Sequence, residues 1–143
     1  FFTLHNDWRK MGMSLNLDRF SPVQLDANMG FTAVMQEMLF AVVEKTVKIL
    51  PALPKRLKKG SAENLISPDG VFSFQWCPET VKIDILVKRK RSVTVQLPGC
   101  YEDYRVQCAD SVVCHVEDGR VFIENRTECR DERIRIVGGR QKE

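Results

Sequence analysis

The chain has 143 residues, a formal net charge of +3, and hydrophobic and charged fractions of 43% and 29%. This length suits one domain with a sizeable core, since about 100–200 residues per domain is usual. The composition is that of an ordinary soluble globular protein, without internal repeats or low-complexity stretches. The longest apolar run, residues 38–43, is far short of the roughly 20 residues that cross a bilayer, so no membrane partner is predicted.

Two basic clusters raise the question of a nucleic-acid partner. They lie at residues 55–59 and 88–91, and a nucleic-acid interpretation would use them as phosphate contacts. Because no aromatic residue is interleaved with either cluster to stack on bases, we interpret both as solvated turns. No nucleic-acid partner is predicted.

The five cysteines include no C-x-x-C pair, and only His5 and His115 could join them as ligands, so neither a metal site nor a cofactor is predicted. Five cysteines in one domain favour a reducing, cytoplasmic compartment over a secreted one, unless two pairs are bridged. As single residues, cysteines are most often small buried apolar groups.

The N-terminal residues are predicted to form a loop that leads into an extended segment, residues 22–31. Gln24, Asp26 and Asn28 stand at alternate positions there, and alternate residues of an extended segment point to the same side. A row of two carboxamides and a carboxylate is thus available to a polar ligand. Asp26 or Asn28 could instead cap the helix that follows.

A helix is predicted over residues 32–43. Its apolar positions follow the helical period, and further apolar residues lie off that stripe, which predicts a helix buried on most sides. No second long helix is predicted to bury it, and the first methionine is Met11. We therefore expect the chain to be a piece of a larger protein.

The next region changes from helical to alternating character. Two prolines make residues 51–60 a segment that crosses between two architectural units. Beyond it, a period of two predicts an antiparallel sandwich, with Asp118-Gly119 as a hairpin turn. Seven strands are expected, at residues 71–76, 81–87, 93–97, 104–108, 112–116, 121–124 and 133–137.

Three motifs carry a resemblance to a known family. They are Gln24-Leu25-Asp26-Ala27-Asn28 followed by Gly30-Phe31, then Glu37-Met38-Leu39, then Leu50-Pro51-Ala52-Leu53-Pro54 with Gly60. In this order and spacing, roughly residues 15–76 resemble the C-terminal end of glycoside hydrolase family 95. That family contains α-L-fucosidases and some related α-L-galactosidases. The later strands match it only as architecture.

The resemblance implies an α+β fragment in three parts. Residues 1–50 would be the end of an (α/α)6 barrel catalytic domain, with the helix as its last helix. Residues 51–69 would be a linker, and residues 70–143 a C-terminal β-sandwich packed against the barrel. The implied partners are an oligosaccharide substrate and the upstream barrel domain of the same protein.

The resemblance also implies a chemistry, that of an inverting exo-glycosidase. In such enzymes one carboxylic acid protonates the leaving oxygen while a water attacks the opposite face of the sugar. The family's motif aspartate, which helps to orient and activate that water, corresponds to Asp26, with Gln24 and Asn28 as substrate contacts. The general-acid glutamate lies earlier in the barrel, outside this sequence, so the chain is expected to be inactive by itself.

Two departures and one alternative accompany this interpretation. Phe20 stands where the family commonly has a histidine that contacts the sugar, and Leu57 stands near a common tryptophan. The sugar and linkage therefore stay open, as does activity itself. The alternative is a non-catalytic β-sandwich module, structural or carbohydrate-binding, with Asp26 as a helix cap. Exposed aromatics would favour it, and the nearest candidates are Phe72, Phe74 and Trp76, although their alternation favours the core.

Overall fold

The computed structural model describes residues 25–139, and side chains from Gly30 onward. These residues form one helix and ten strands in the following order. They are α1 (Leu25–Leu39), β1 (Phe40–Val43), β2 (Thr46–Ile49), β3 (Gly60–Ile66), β4 (Gly70–Trp76), β5 (Thr80–Val87), β6 (Ser92–Gln96), β7 (Glu102–Gln107), β8 (Val112–Glu117), β9 (Arg120–Asn125) and β10 (Glu132–Gly139).

The helix begins and ends earlier than predicted. It covers Leu25–Leu39 rather than residues 32–43, so the extended conformation predicted for residues 22–31 is wrong from Leu25 onward. Phe40–Val43 leaves the helix and forms strand β1, which pairs with β2 in an antiparallel hairpin. The short run of branched and aromatic residues follows the helical apolar pattern, but pairing with β2 provides a complete ladder of hydrogen bonds and overrides it.

The apolar residues of α1 do not share one environment. Phe31 and Val34 are 50% and 55% exposed, whereas Met35, Met38 and Leu39 are half-buried. Burial of this helix on most sides stays a prediction, because it was expected from an upstream domain outside this sequence.

The ten strands form two five-stranded sheets. The first sheet has the order β1-β2-β6-β9-β8 and the second has the order β3-β4-β5-β10-β7. All seven strands that alternation predicts are confirmed, and β1, β2 and β3 are additional. The seven predicted strands pair with one another only in antiparallel fashion, as predicted. Among the described strands, the parallel pairing is that of the additional strand β2 with β6. Since β3, β4 and β5 of the second sheet intervene, the chain re-enters the first sheet by a long crossover, which permits a parallel pair.

The chain divides into two compact units, residues 1–37 and residues 38–143. The predicted boundaries, after residue 50 and after residue 69, differ from this division. Strands β1 and β2 lie before the first predicted boundary and β3 lies before the second, yet all three belong to the sheets of the second unit. The predicted end of the barrel and the predicted linker thus contain sandwich strands.

One buried cluster is shared by the two sheets, an arrangement consistent with a β-sandwich. Alternate residues of β4, β5 and β10 are buried, and the rings of Phe40 from the first sheet and Phe72 from the second lie 5.4 Å apart between centroids. Phe72, Phe74 and Trp76 are all buried, so their interpretation as core is confirmed. They offer no exposed aromatic platform to a sugar.

The proline-containing segment, residues 51–59, joins β2 of the first sheet to β3 of the second without helix or strand. Its Leu53 and Leu57 pack against the core, and the Leu57 carbonyl accepts a hydrogen bond of 3.1 Å from the Trp76 indole. The segment therefore crosses from the first sheet to the second within residues 38–143. The basic residues in it are exposed.

The predicted hairpin turn between β8 and β9 is confirmed. Asp118 and Gly119 both have positive φ, 48° and 70°, as a type I′ turn requires, and the strands pair from Glu117 and Arg120 outward. Asparagine, aspartate and glycine are the residues that adopt this conformation at least cost.

Candidate functional site

Two of the three predicted site residues lie at the start of α1. Gln24 falls outside the described residues. Asp26 and Asn28 lie in the first turn of the helix, with side chains that the structure does not describe. Positions two apart on a helix lie on roughly opposite sides of it, so the same-side argument fails for Asp26 and Asn28. Their roles in catalysis and substrate binding stay predictions.

Other residues singled out in the sequence also lie outside the described range. They are His5, which could have joined the cysteines as a ligand, and Phe20, which replaces the family's histidine. The helix begins at Leu25, so its cap position comes before Asp26 and Asn28. The capping interpretation of these two residues is therefore wrong in its position.

Within the described residues, a polar cleft of about 530 Å³ lies on the outer face of the second sheet. We call it the second-sheet cleft. Alternate residues of neighbouring strands line it, opposite the side chains that these strands bury in the core. Its polar side chains are those of Glu63, Ser73, Gln75, Lys82, Asp84, Gln107 and Arg135.

The centre of the second-sheet cleft is an ion pair between adjacent strands. Arg135 of β10 donates a hydrogen bond of 2.8 Å from Nε to Oδ1 of Asp84 on β5. Both side chains are about half exposed, so the pair contributes at most about 1 kcal/mol to stability. The cleft holds carboxylates, amide groups and two cations together. Such a mixture suits a ligand rich in hydroxyl groups better than a strongly charged one.

A second cleft, of about 610 Å³, lies where β5 turns into β6, and Lys88, Arg89 and Arg91 of the basic cluster line it with Arg130. Local acceptors already engage several of these cations. Lys88 Nζ donates to the Pro68 carbonyl at 2.9 Å, Arg130 Nε donates to Glu132 Oε1 at 2.7 Å, and Lys90 pairs with Glu128. These contacts fit a solvated turn, as the sequence predicts.

One buried residue that sequence reasoning missed organises this region. Asn125 is 1% exposed, and its Nδ2 donates to the carbonyls of Val87 and Arg130 at 3.1 and 3.2 Å. Its Oδ1 accepts from the Thr127 backbone N–H at 3.0 Å and from the Thr127 hydroxyl. The signal in the sequence is the Asn-x-Thr spacing, which favours an Asx turn. Because its amide is buried and bonded, Asn125 is not a glycan acceptor in the folded chain.

Glu132 is a nearly buried carboxylate next to the same loop. Its Oε1 accepts hydrogen bonds from Arg130 Nε at 2.7 Å and from the Ser111 hydroxyl at 2.9 Å. The Arg130 hydrogen bond, followed by that from Ser111, lowers the pKa of Glu132 below its usual value.

We expect Glu132→Gln to lose less stability than the wild type as the pH falls into the acid range. A carboxyl whose folded pKa is lowered contributes stability that is present above its unfolded pKa, about 4.3, and is lost as pH falls through the folded pKa. Urea unfolding midpoints from roughly pH 3 to pH 7 test this. The control is Glu128→Gln, at an exposed carboxylate. If the stability of the wild type and of Glu132→Gln fell equally as the pH decreased, ionisation of Glu132 would not contribute to stability as expected.

The outer face of the first sheet carries the pair His115 and Phe122, whose rings stack with centroids 6.4 Å apart. Phe122 is 41% exposed, and His115 Nε2 lies 3.5 Å from Glu117 Oε2. These residues are direct cross-strand partners of β8 and β9. The stack needs no ligand to explain it, because cross-strand ring pairs stabilise a sheet by themselves.

Residues 25–139 contain no cluster of three or more His, Cys, Asp or Glu side chains that could hold a metal ion. No helix in this part of the chain is long and apolar enough to span a membrane. Comparison with known protein families and with curated proteins gave no match for the chain.

Proposed function

We propose that the chain is the C-terminal part of an inverting exo-glycosidase of the α-L-fucosidase or α-L-galactosidase type, acting on the ends of oligosaccharides. The observation that supports this is the order and spacing of three motifs, at residues 24–31, 37–39 and 50–60. The first two lie largely in α1, and the third includes the segment that joins the two sheets.

In this proposal Asp26 is the chain's contribution to catalysis. Its carboxylate accepts a hydrogen bond from the attacking water and orients it towards the sugar, while a carboxylic acid on the upstream barrel protonates the leaving oxygen. Gln24 and Asn28 contact the substrate. Because inverting hydrolysis needs both groups, residues 1–143 have no turnover by themselves.

The test is an assay of the longest natural form of the protein with aryl α-L-fucoside and aryl α-L-galactoside. We expect hydrolysis of at least one substrate, with the product first released as the opposite anomer, which proton NMR resolves before mutarotation. Retention of the anomeric configuration would overturn the inverting mechanism. A folded, long form that is inert towards both glycosides would overturn the glycosidase proposal.

The alternative proposal is a non-catalytic β-sandwich module that binds carbohydrate. The second-sheet cleft favours it, because the cleft places hydroxyl-binding side chains on one concave face. If the long form is inert, this alternative is tested by oligosaccharide binding to the full 143-residue chain. NMR shifts confined to β4, β5 and β10, and their loss in Asp84→Ala but not in the exposed Asp110→Ala, would support it.

A further inference from the structure

The cleft between β5 and β6 carries an excess of positive charge, and we call it the basic cleft. Its lining consists of four cations, one carboxylate and one cysteine, namely Lys88, Arg89, Arg91, Arg130, Asp131 and Cys129. The formal net charge of the whole chain is only +3. Since the lining alone has four positive charges and one negative charge, the charges elsewhere in the chain balance one another. A cleft lined by one sign of charge concentrates ions of the opposite sign.

Two segments of the chain bring these cations together. Residues 88–91 follow β5, and residues 129–131 precede β10. The buried Asn125 joins the two segments, because its side-chain amide donates to a backbone carbonyl of each. The Arg89 backbone N–H also donates to Asp131 Oδ1 at 3.0 Å. The fold therefore holds like charges side by side before any ligand arrives, which lowers the entropy cost of binding an anion.

These cations keep hydrogen-bond donors that no described residue uses. The Arg89 guanidinium makes no ion pair or hydrogen bond with another described residue. Arg130 donates to Glu132 through Nε, and within the described residues its two Nη groups have no acceptor. Arg91 Nη1 lies 3.9 Å from Asp69 Oδ1, which is beyond hydrogen-bond distance. The forked donors of a guanidinium match the oxygens of an anionic ligand.

We propose that the basic cleft binds the phosphate or sulfate group of a small ester. A carboxylate offers two oxygens, whereas a phosphate or sulfate group offers at least three, which suits three arginines and a lysine better. The cleft volume of about 610 Å³ leaves room for the molecule that carries the oxyanion, since ligand sites span roughly 300–1,000 Å³. The proposal does not depend on the glycosidase proposal.

A nucleic acid fits the basic cleft less well than a monoester. Its phosphates form a row, but the other basic cluster, residues 55–59, does not line this cleft. Among the described residues, the lining also includes no aromatic side chain on which a base could stack. We therefore expect a short single-stranded oligonucleotide to bind no more tightly than a monoester, and tighter binding of the oligonucleotide would overturn the proposal.

NMR titration of the full 143-residue chain tests the proposal, at constant ionic strength in sodium chloride and roughly pH 7.5. The probes are glucose 6-phosphate, glucose 6-sulfate, inorganic phosphate and glucose. We expect saturable shifts confined to residues 88–91 and 129–131 with both esters, and none with glucose. Inorganic phosphate should bind at least about tenfold more weakly than glucose 6-phosphate, because it leaves the rest of the cleft empty. Equal affinity for the free ion would overturn the assignment of an ester.

The two esters distinguish the sources of the oxyanion. A phosphate monoester is mostly a dianion above its second pKa of about 6, whereas a sulfate ester is a monoanion. Because four cations face a single carboxylate in the lining, we expect the phosphate ester to bind more tightly. The reverse order would identify a sulfate ester as the ligand.

Matched variants separate a site from general electrostatic attraction. Arg89→Gln should weaken ester binding by about tenfold or more, since charge-assisted hydrogen bonds are the strong ones. The control is Arg56→Gln, at an exposed arginine of the other basic cluster, and it should change the affinity by less than about twofold. Both substitutions remove one positive charge from an exposed position. Equal losses in the two variants, or equal shifts at residues 55–59, would overturn the proposal.

Discussion

Asp26→Ala in the longest natural form is expected to lower kcat for α-L-fucoside or α-L-galactoside by about 100-fold or more. A positioned proton acceptor contributes roughly 10²- to 10⁴-fold to such reactions, and alanine cannot hold or deprotonate the attacking water. KM should change less, because the lost interaction is made mainly in the transition state. Steady-state kinetics on the natural form measures both parameters.

The design separates a catalytic role from a structural one. Asp26 lies in the first turn of α1, where a negative charge stabilises the helix by about 0.3–1 kcal/mol. Asp26→Asn keeps the size of the side chain but cannot take a proton, so it should lose activity nearly as fully as Asp26→Ala. The control is Asp110→Ala, at an exposed aspartate of the turn before β8. If Asp26→Ala lowered the melting temperature and left kcat unchanged, the role of Asp26 would be structural.

Phe72→Ala should destabilise the second unit by about 3–5 kcal/mol, the usual cost of deleting a buried aromatic ring. Phe72 is fully buried, and its ring meets that of Phe40 across the two sheets at 5.4 Å. The substitution leaves a cavity where one sheet packs on the other. Since a domain is stable by only about 5–15 kcal/mol, this loss is a large fraction of the total.

The matched control for Phe72→Ala is Phe122→Ala, at a phenylalanine that is 41% exposed. The control should cost less, about 1–2 kcal/mol, because Phe122 keeps a large part of its ring in water and its removal leaves no enclosed cavity. Urea unfolding of the wild type and both variants measures the difference. If Phe72→Ala does not fold, Phe72→Leu should still cost about 1 kcal/mol or more. Equal costs at the two positions would show that Phe72 does not join the two sheets.

Much of the sandwich was predictable from the sequence because its strands alternate. In β4, β5 and β10 one face is buried and the other faces water, so side chains for the core and for the surface alternate along the sequence. The β8–β9 turn was predictable for a local reason, since Asp118-Gly119 accepts positive φ at both positions.

Strand β3 was not predictable, because its alternation is interrupted. Its register with β4 shifts between Ala62 and Leu65, and Asn64 there has a positive φ of 57°. A bulge of this kind moves the following residues out of phase with those before it. The burial pattern of β3 is correspondingly irregular, so no period of two marks the strand in the sequence.

The end of α1 was mispredicted because one apolar run forms both the last residues of the helix and strand β1. Residues 38–43 continue the helical period, and nothing within them marks the change from helix to strand. The end at Leu39 is set by the pairing of β1 with β2 and by the hydrogen bond of 2.8 Å from the Leu50 N–H to the Leu39 carbonyl. Both are contacts with residues beyond the run.

The candidate sites also divide into features that the sequence predicts and contacts that only the fold creates. The sequence by itself determined the seven alternating strands, the hairpin turn and the three ordered motifs on which the proposal for Asp26 rests, because these depend on neighbours in the chain. Only the tertiary structure brought Arg135 to Asp84, and the carbonyls of Val87 and Arg130 to Asn125. Pairing between strands and sheets decides such contacts, and that pairing is not encoded in any local stretch of residues.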